Sequence, residues 1–303
     1  MHLNELRKEL KFNKELLNLV ETLKNVAGSQ YHQMEKEKQR FDRFMDAFAP
    51  FFRVVDLVEV TNPLVKASSD TVGLVIVTSD SGFMGGLNQG VVRAGFAAVQ
   101  DIPETRVSLV VIGEKGASLV GDRKFKFFQG ISHEAIYDRA IQVRDYVVGE
   151  VLGGRMGRVL VAHPVALSFS AQTIKVDSLL PCGDLFDRSA ESEVSARGAG
   201  TRLLSEMRNV VVESAFTDIA QYLASLWVAS QLYARFEDSK LAEFSARAMH
   251  LEGSHQKVEK EFKKVKRQCS KASHEQIDKG MRESFAAKSG KKKRERRTAA
   301  HAA

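Results

Sequence analysis

Cysteine, tryptophan and proline are all scarce in this chain, at two, one and five among 303 residues. Cys182 and Cys269 lie far apart and match no metal-ligand spacing, which excludes a zinc framework and leaves two reduced thiols. No apolar run reaches the roughly 18 residues that a membrane span needs. The start, Met1-His2-Leu3-Asn4-Glu5, lacks the hydrophobic core of an export signal. Gly-Lys-Ser/Thr, the mark of a Walker loop, is missing, as is the Gly-x-Ser-x-Gly elbow of a hydrolase. The histidines His32, His133, His163, His250, His255 and His274 nowhere show the i, i+4 spacing of a zinc helix. These absences argue against an enzyme in its own right, and they leave no metal and no cofactor to expect.

The prolines are confined to positions 50 to 181, so both ends of the chain are free of helix breakers. In the first, steps of four and three from Leu6 reach Leu10, Asn13, Leu17, Val20, Lys24, Ala27, Tyr31, Met34, Lys38, Phe41, Met45 and Phe48. Ten of those thirteen positions are apolar, which predicts a heptad helix from about Leu3 to Phe48. At 1.5 Å per residue it would be roughly 65–70 Å long and would need a partner helix. The second such region predicts helix from near Thr201 to about Phe285, with the seam Val212, Ala215, Ile219, Tyr222, Leu226, Ala229, Tyr233 and Phe236. After a one-residue skip it resumes at Leu241, Phe244, Ala248, Leu251, His255, Val258, Phe262, Val265, Cys269 and Ala272. Ser239, Glu243, Arg247 and Leu251 share a face by spacing, and Glu243 four residues before Arg247 is the favourable order for an ion pair on a solvated helical face.

Between these ends the period changes. Val72–Val77, 106–112 and 158–162 are short β-branched runs separated by helical stretches, which predicts a small α/β domain with a largely parallel sheet. Leu167 to Leu180 alternates and predicts a further strand, antiparallel at an edge. The chain thus divides into an N-terminal helix (1–60), an α/β domain (61–200), a C-terminal helix (201–287) and a basic tail (288–303) expected to be disordered. That tail carries seven Lys/Arg against Glu295 alone, a charge of +6 out of the chain's +7. The body is near neutral, so the basic balance does not indicate a nucleic-acid-binding domain, and no nucleic-acid partner is expected.

Thr78-Ser79-Asp80-Ser81-Gly82-Phe83-Met84-Gly85-Gly86-Leu87-Asn88 stands between a predicted strand and a predicted helix. Glycines there can crowd backbone N–H groups around a phosphate. Gly82, Gly85 and Gly86 do not have dinucleotide spacing, and Asp80 is a poor neighbour for an anion, so a structural turn is the better reading. Gly82, Gly85, Gly86 and Asn88 are expected to shape it.

The same run resembles the Thr-Ser-Asp-Arg-Gly-Leu-Cys-Gly-Gly-Leu-Asn of the gamma subunits of F-type ATP synthases, with Ser81, Phe83 and Met84 as departures. Val111-Ile112-Gly113-Glu114-Lys115-Gly116, Leu179-Leu180-Pro181 and the series Ser239, Glu243, Arg247, Leu251 are similar to that family's later motifs. The resemblance spans residues 10 to 277. It implies an antiparallel coiled coil of the terminal helices with an inserted Rossmann-like α/β domain. It further implies a non-catalytic central rotor shaft, peripheral to the cytoplasmic side of a bacterial inner membrane, serving proton transport and ATP synthesis. Alpha and beta subunits, the epsilon subunit and the c-subunit ring are the implied partners, with Lys24, Ser239, Glu243, Arg247, Arg267 and Gln268 as contact residues. Two other readings compete: a coiled-coil adaptor or scaffold derived from such a shaft, and a nucleotide-binding enzyme using the glycine turn.

Overall fold

The computed structural model describes residues 3–52, 62–182 and 216–301. The expected start of the last helix near Thr201, with seam positions Val212 and Ala215, lies outside those residues. Helix α1 covers Leu3–Phe52, and the last helix, α5, covers Phe216–His301. Between them stand strands β1 (Val72–Val77), β2 (Val107–Ile112), β3 (Phe125–Phe128), β4 (Arg158–Ser168) and β5 (Ala171–Leu180), with helices α2 (Leu87–Ala98), α3 (Glu114–Leu119) and α4 (Ile136–Leu152).

The strands form one sheet in the order β3-β2-β1-β4-β5. β1 runs parallel to β2 and β4, β2 runs parallel to β3, and β5 returns antiparallel to β4. All six residues of β1, Val-Gly-Leu-Val-Ile-Val, are buried, as a central parallel strand covered on both faces requires. Pro164 interrupts no bond to β1, because β1 pairs with β4 only as far as Ala162. Its place is opposite Ile174 on the hairpin beyond. The alternating strand expected over Leu167 to Leu180 is thus the second arm of a hairpin that turns at Phe169 and Ser170. β3 was not foreseen. It is an edge strand of four residues, Phe-Lys-Phe-Phe, too short to show a period.

Contacts divide the chain into two units, residues 1–24 with 251–303, and residues 25–250. They group the residues differently from the four sequence segments, because α1 beyond Asn25 and α5 before His250 pack into the sheet's core. In the larger unit, Val75, Val77, Val110, Ile112, Val159 and Val161 share a cluster with Val143, Val147 and Val151 of α4. The same cluster takes in Tyr31 and Met34 of α1 and Ala224, Val228, Leu232 and Phe236 of α5. The opposite sheet face, with Leu74, Ile76 and Val111, packs on Val91 and Val92 of α2. Lys38 Nζ lies 3.0 Å from Asp238 Oδ1, and the Phe41 and Tyr233 rings are 4.4 Å apart. Numbers rise on α1 as they fall on α5, so the helices run antiparallel.

In the smaller unit α1 and α5 pair through Leu6, Val20, Leu251 and Val265, all buried. Every described position of the α1 seam, in either unit, is buried or partly buried. The α5 seam shifts at its start. Tyr222 is 69% exposed, and the buried line is Ala224, Val228, Leu232 and Phe236. There α5 faces the sheet as well as α1, which moves the centre of its apolar face. α5 also continues through His301, into residues expected to be disordered. Lys, Arg and Ala are favourable in helices and no proline follows Pro181, which accounts for the difference.

Candidate functional site

The glycine turn closes on itself before it touches anything else. Thr78, at the end of β1, donates its hydroxyl to the Ile112 carbonyl at 2.6 Å and accepts the Gly116 N–H at 2.9 Å. Asn88 reaches back from the first turn of α2, accepting from the Ser79 N–H at 3.2 Å and donating to Ser79 Oγ at 2.9 Å. Asp80 accepts the Glu114 N–H at 2.9 Å and the Gly130 N–H at 3.0 Å. Its carboxylate therefore sits at the start of α3, where a bound anion would sit. The N-terminus of α3 is thus filled by the protein's own carboxylate. Among the described residues, no group of three or more His, Cys, Asp or Glu could hold a metal ion.

The expected roles of the three glycines need correction. Gly85 has φ +58°, a conformation that favours glycine. Gly82 and Gly86 have no positive φ and open space where a Cβ would stand. The tight glycines lie elsewhere. A Cβ at Gly113, whose φ is +96°, would stand 2.4 Å from the Thr78 carbonyl oxygen, and one at Gly116 would stand 2.4 Å from Thr78 Oγ1.

From this turn Ser81 faces α5. The Ser81 hydroxyl donates to Glu243 Oε1 at 3.3 Å and accepts from Arg247 at 2.5 Å. Arg247 also donates to Glu243 Oε1 at 2.6 Å, while Lys240 Nζ donates to Glu243 Oε2 at 2.8 Å. The side chains of Lys240, Glu243 and Arg247 are only 10%, 8% and 17% exposed. One carboxylate thus answers two enclosed cations and the turn's hydroxyl. One residue pair on, Ser245 donates to the Phe169 carbonyl at 2.7 Å and accepts from Gln172. Phe169 in turn packs edge-on against Tyr31 of α1, with ring centres 5.0 Å apart. α5 is therefore held by polar contacts from the glycine turn and from the tip of the β4–β5 hairpin.

Ser239 and Glu243, expected at a partner surface, are buried within the larger unit. Residues 239–246 are all buried, so this stretch of α5 has no solvated face for the Glu243–Arg247 pair to occupy. Lys24 lies in the smaller unit, 3.1 Å from Glu252 Oε2. Hydrogen bonds from Gln256 and Lys24 hold the Glu252 carboxyl below its ordinary range. Arg267 and Gln268 are exposed on α5. Ser239, Glu243 and Arg247 thus belong to the larger unit, and Lys24, Arg267 and Gln268 to the smaller. Sequence reading missed Lys240 and Ser245, although the seam's skip between Phe236 and Leu241 marks where α5 becomes enclosed.

A second buried polar group was also missed. His163 of β4 is 1% exposed, with Nε2 3.0 Å from Asp177 Oδ2 of β5, and Arg235 of α5 lies 3.7 Å from the same oxygen. Burial pushes the His163 pKa below its ordinary 6.5, against the pull of Asp177; Arg235 adds to the lowering and Asp238 opposes it. The unfolded chain therefore binds this proton more readily than the folded one. His163's contribution to stability is complete above pH 6.5 and falls as the pH drops below it. Urea midpoints at pH 7.5 and 5.5 should fall further for the wild type than for His163→Gln; equal falls would contradict this.

Comparison with known proteins decides the family. A model of the ATP synthase family matches residues 2–285. The chain belongs to the ATP synthase gamma-chain family. It is 23% identical over 268 residues to the ATP synthase gamma chain of Synechococcus sp. (strain JA-2-3B'a(2-13)), covering 81% of this chain and 85% of that one. Identity to the ATP synthase gamma chain of Helicobacter pylori (strain HPAG1) is 26% over 207 residues, or 67% of this chain and 63% of that one. Similar folds occur in the Tetrahymena thermophila mitochondrial ATP synthase central stalk and c-ring, with TM-score 0.57 and 19% identity over 78% of this chain and 99% of that one. A chain of the Euglena gracilis mitochondrial ATP synthase matches with TM-score 0.60 and 15% identity, covering 95% and 94%. Like the gamma-chain family it belongs to, this chain is a non-catalytic subunit. No helix among the described residues is long and apolar enough to cross a membrane.

Proposed function

We infer that this gamma-family chain is the central shaft of an F-type ATP synthase. It carries rotation between a c-subunit ring and a catalytic ring of alpha and beta subunits, with an epsilon subunit beside its α/β domain. ATP chemistry belongs to the beta subunits. The working place is peripheral, on the cytoplasmic side of a bacterial inner membrane, where proton or sodium-ion flow drives the c ring.

One observation supports a shaft most directly. In the two-helix unit α1 buries one apolar line against α5 and still exposes a second, Phe12, Leu19 and Leu23, at 62%, 55% and 38%. A free-standing helix pair has no use for a second line, whereas a shaft inside a ring meets a wall on that side. Polar attachment of α5 at Glu243, Arg247 and Ser245 suits a shaft as well, because directional bonds resist twisting of a helix within its socket more than apolar contacts do.

We place Arg267 and Gln268 against the catalytic ring, with Lys24 bracing the helix pair through Glu252 about four turns before them on α5. Changing Lys24, Arg267 and Gln268 together to alanine should lower coupled ATP synthesis while the complex still assembles. Unchanged synthesis would remove all three from the mechanism. The shaft reading itself predicts that a bead fixed to the α/β domain of the immobilised complex turns in one sense when ATP is added. A complex that hydrolyses ATP with the bead at rest would contradict it.

A further inference from the structure

One cleft of the α/β domain takes no part in holding α5. It lies in the larger unit where β2 and β3 begin, beside the last turn of α2, and has a volume of about 440 Å³. Small-molecule sites have cavities of this order. The floor is apolar: Val99 and Leu109 are buried, and Phe96, Ile102 and Val107 are partly buried on the same face of the sheet. The rim is polar, with Glu104 from the loop after α2 and Arg123 and Lys124 from the turn before β3. Both walls are braced from within. The Ile102 N–H donates to the Val99 carbonyl at 3.0 Å, and the Arg106 N–H to the Pro103 carbonyl at 2.8 Å. Arg123 donates to the Val120 carbonyl at 3.2 Å and reaches across to Glu104 Oε1 at 3.0 Å. Its guanidinium lies 4.7 Å from the centre of the Phe96 ring, so a fixed cation stands over the apolar floor.

We propose that this cleft binds a small amphipathic carboxylate, a molecule with a flat apolar body and one anionic head. The body rests on Phe96, Ile102 and Val107, and Arg123 and Lys124 hold the head. Charge and lining select this class. Two cations against Glu104 give the rim a net charge of +1, which one carboxylate answers. A neutral apolar molecule would cover the floor and leave the cations as they are. Inorganic phosphate would meet the cations and gain nothing from the floor. A nucleoside triphosphate brings several negative charges to a rim with one positive charge to spare. Glu104 is the built-in competitor for Arg123, but their side chains are 76% and 50% exposed. Such exposed pairs hold weakly, and a ligand carboxylate can share the guanidinium, whose five N–H groups have only two engaged in these hydrogen bonds. The site stands independently of the shaft reading, because none of its residues belongs to either terminal helix.

The test uses the purified full-length chain and a photoreactive member of the class, benzoylbenzoate, at a concentration below saturation. Irradiation should place adducts on the peptides that hold Phe96 to Leu109 or Arg123 and Lys124. Excess naphthoate should suppress them, whereas its neutral counterpart naphthalenemethanol, inorganic phosphate and ATP should not. Arg123→Gln with Lys124→Gln should cut the yield about fivefold or more, the scale of a lost charged hydrogen bond. Both residues are exposed, so the circular dichroism of that variant should match the wild type. Lys124→Gln alone should lower the yield as well. No adduct, or adducts only on the exposed line of Phe12, Leu19 and Leu23, would overturn the site. So would equal suppression by the neutral alcohol, stronger suppression by ATP than by naphthoate, or a yield indifferent to both cations.

Discussion

Glu243→Ala should destabilise the chain by about 3–5 kcal/mol, the usual cost of breaking a buried ion pair by removing one partner. Glu243 is the acceptor for both Lys240 and Arg247, and each of those side chains is less than one fifth exposed. Truncation leaves two cations without their anion and removes an acceptor from Ser81. Phe244, whose ring lies 5.1 Å from Lys240 Nζ and 5.9 Å from the Arg247 guanidinium, offers only weak compensation. Glu243→Gln keeps the shape and one hydrogen-bond acceptor, and should cost less than alanine while remaining clearly destabilising. A control removes the charges together: Lys240→Met, Glu243→Leu and Arg247→Met should recover much of the stability while losing the polar link to Ser81. The check is urea unfolding of the purified chain, with midpoints compared at constant slope. A loss under about 1 kcal/mol for alanine would show the group to be a solvated pair after all.

Gly113→Ala should cost about 2–5 kcal/mol, more than any glycine in the conspicuous turn. Two penalties combine. A non-glycine residue at φ +96° bears a conformational cost of about 1–2 kcal/mol. Its Cβ would also stand 2.4 Å from the backbone oxygen of Thr78, an atom fixed by the central strand; relieving that overlap costs about 1–3 kcal/mol more. Gly85→Ala should fall near 1 kcal/mol, because its φ is positive but its nearest neighbour, His250 Nδ1, is 3.8 Å away. Gly82→Ala and Gly86→Ala should stay within about 0.5 kcal/mol. Thermal or urea unfolding of the four variants gives the order directly, and Gly82→Ala matching Gly113→Ala would contradict it.

That order shows where the sequence was readable and where it was not. Local period carries far. Leu6 to Phe41 were placed on a buried line by spacing alone, Val72–Val77 as a strand by its β-branched run, and Leu167 to Leu180 as an antiparallel edge by its alternation. Contacts across long separations left no such trace. Gly113 is tight only because Thr78, 35 positions earlier, lies against it, whereas Gly82 and Gly86 drew notice through clustering that the backbone does not require. Glu243 and Arg247 show the same limit. Spacing put them on one helix face, but nothing local revealed that Ser81 covers that face or that Lys240 shares the carboxylate. The family motif implied Ser239, Glu243 and Arg247 as partner contacts, whereas Glu243 and Arg247 bond to each other and to Ser81 within the larger unit.

The most direct test of the shaft is the company the chain keeps. An affinity tag on an exposed part of the α/β domain, with gentle solubilisation of native membranes and quantitative mass spectrometry, would measure it. The expected result is recovery of alpha and beta subunits in equal amounts, each in threefold excess over this chain, together with c subunits. Recovery of the folded chain without alpha and beta subunits, from membranes that contain them, would contradict the account.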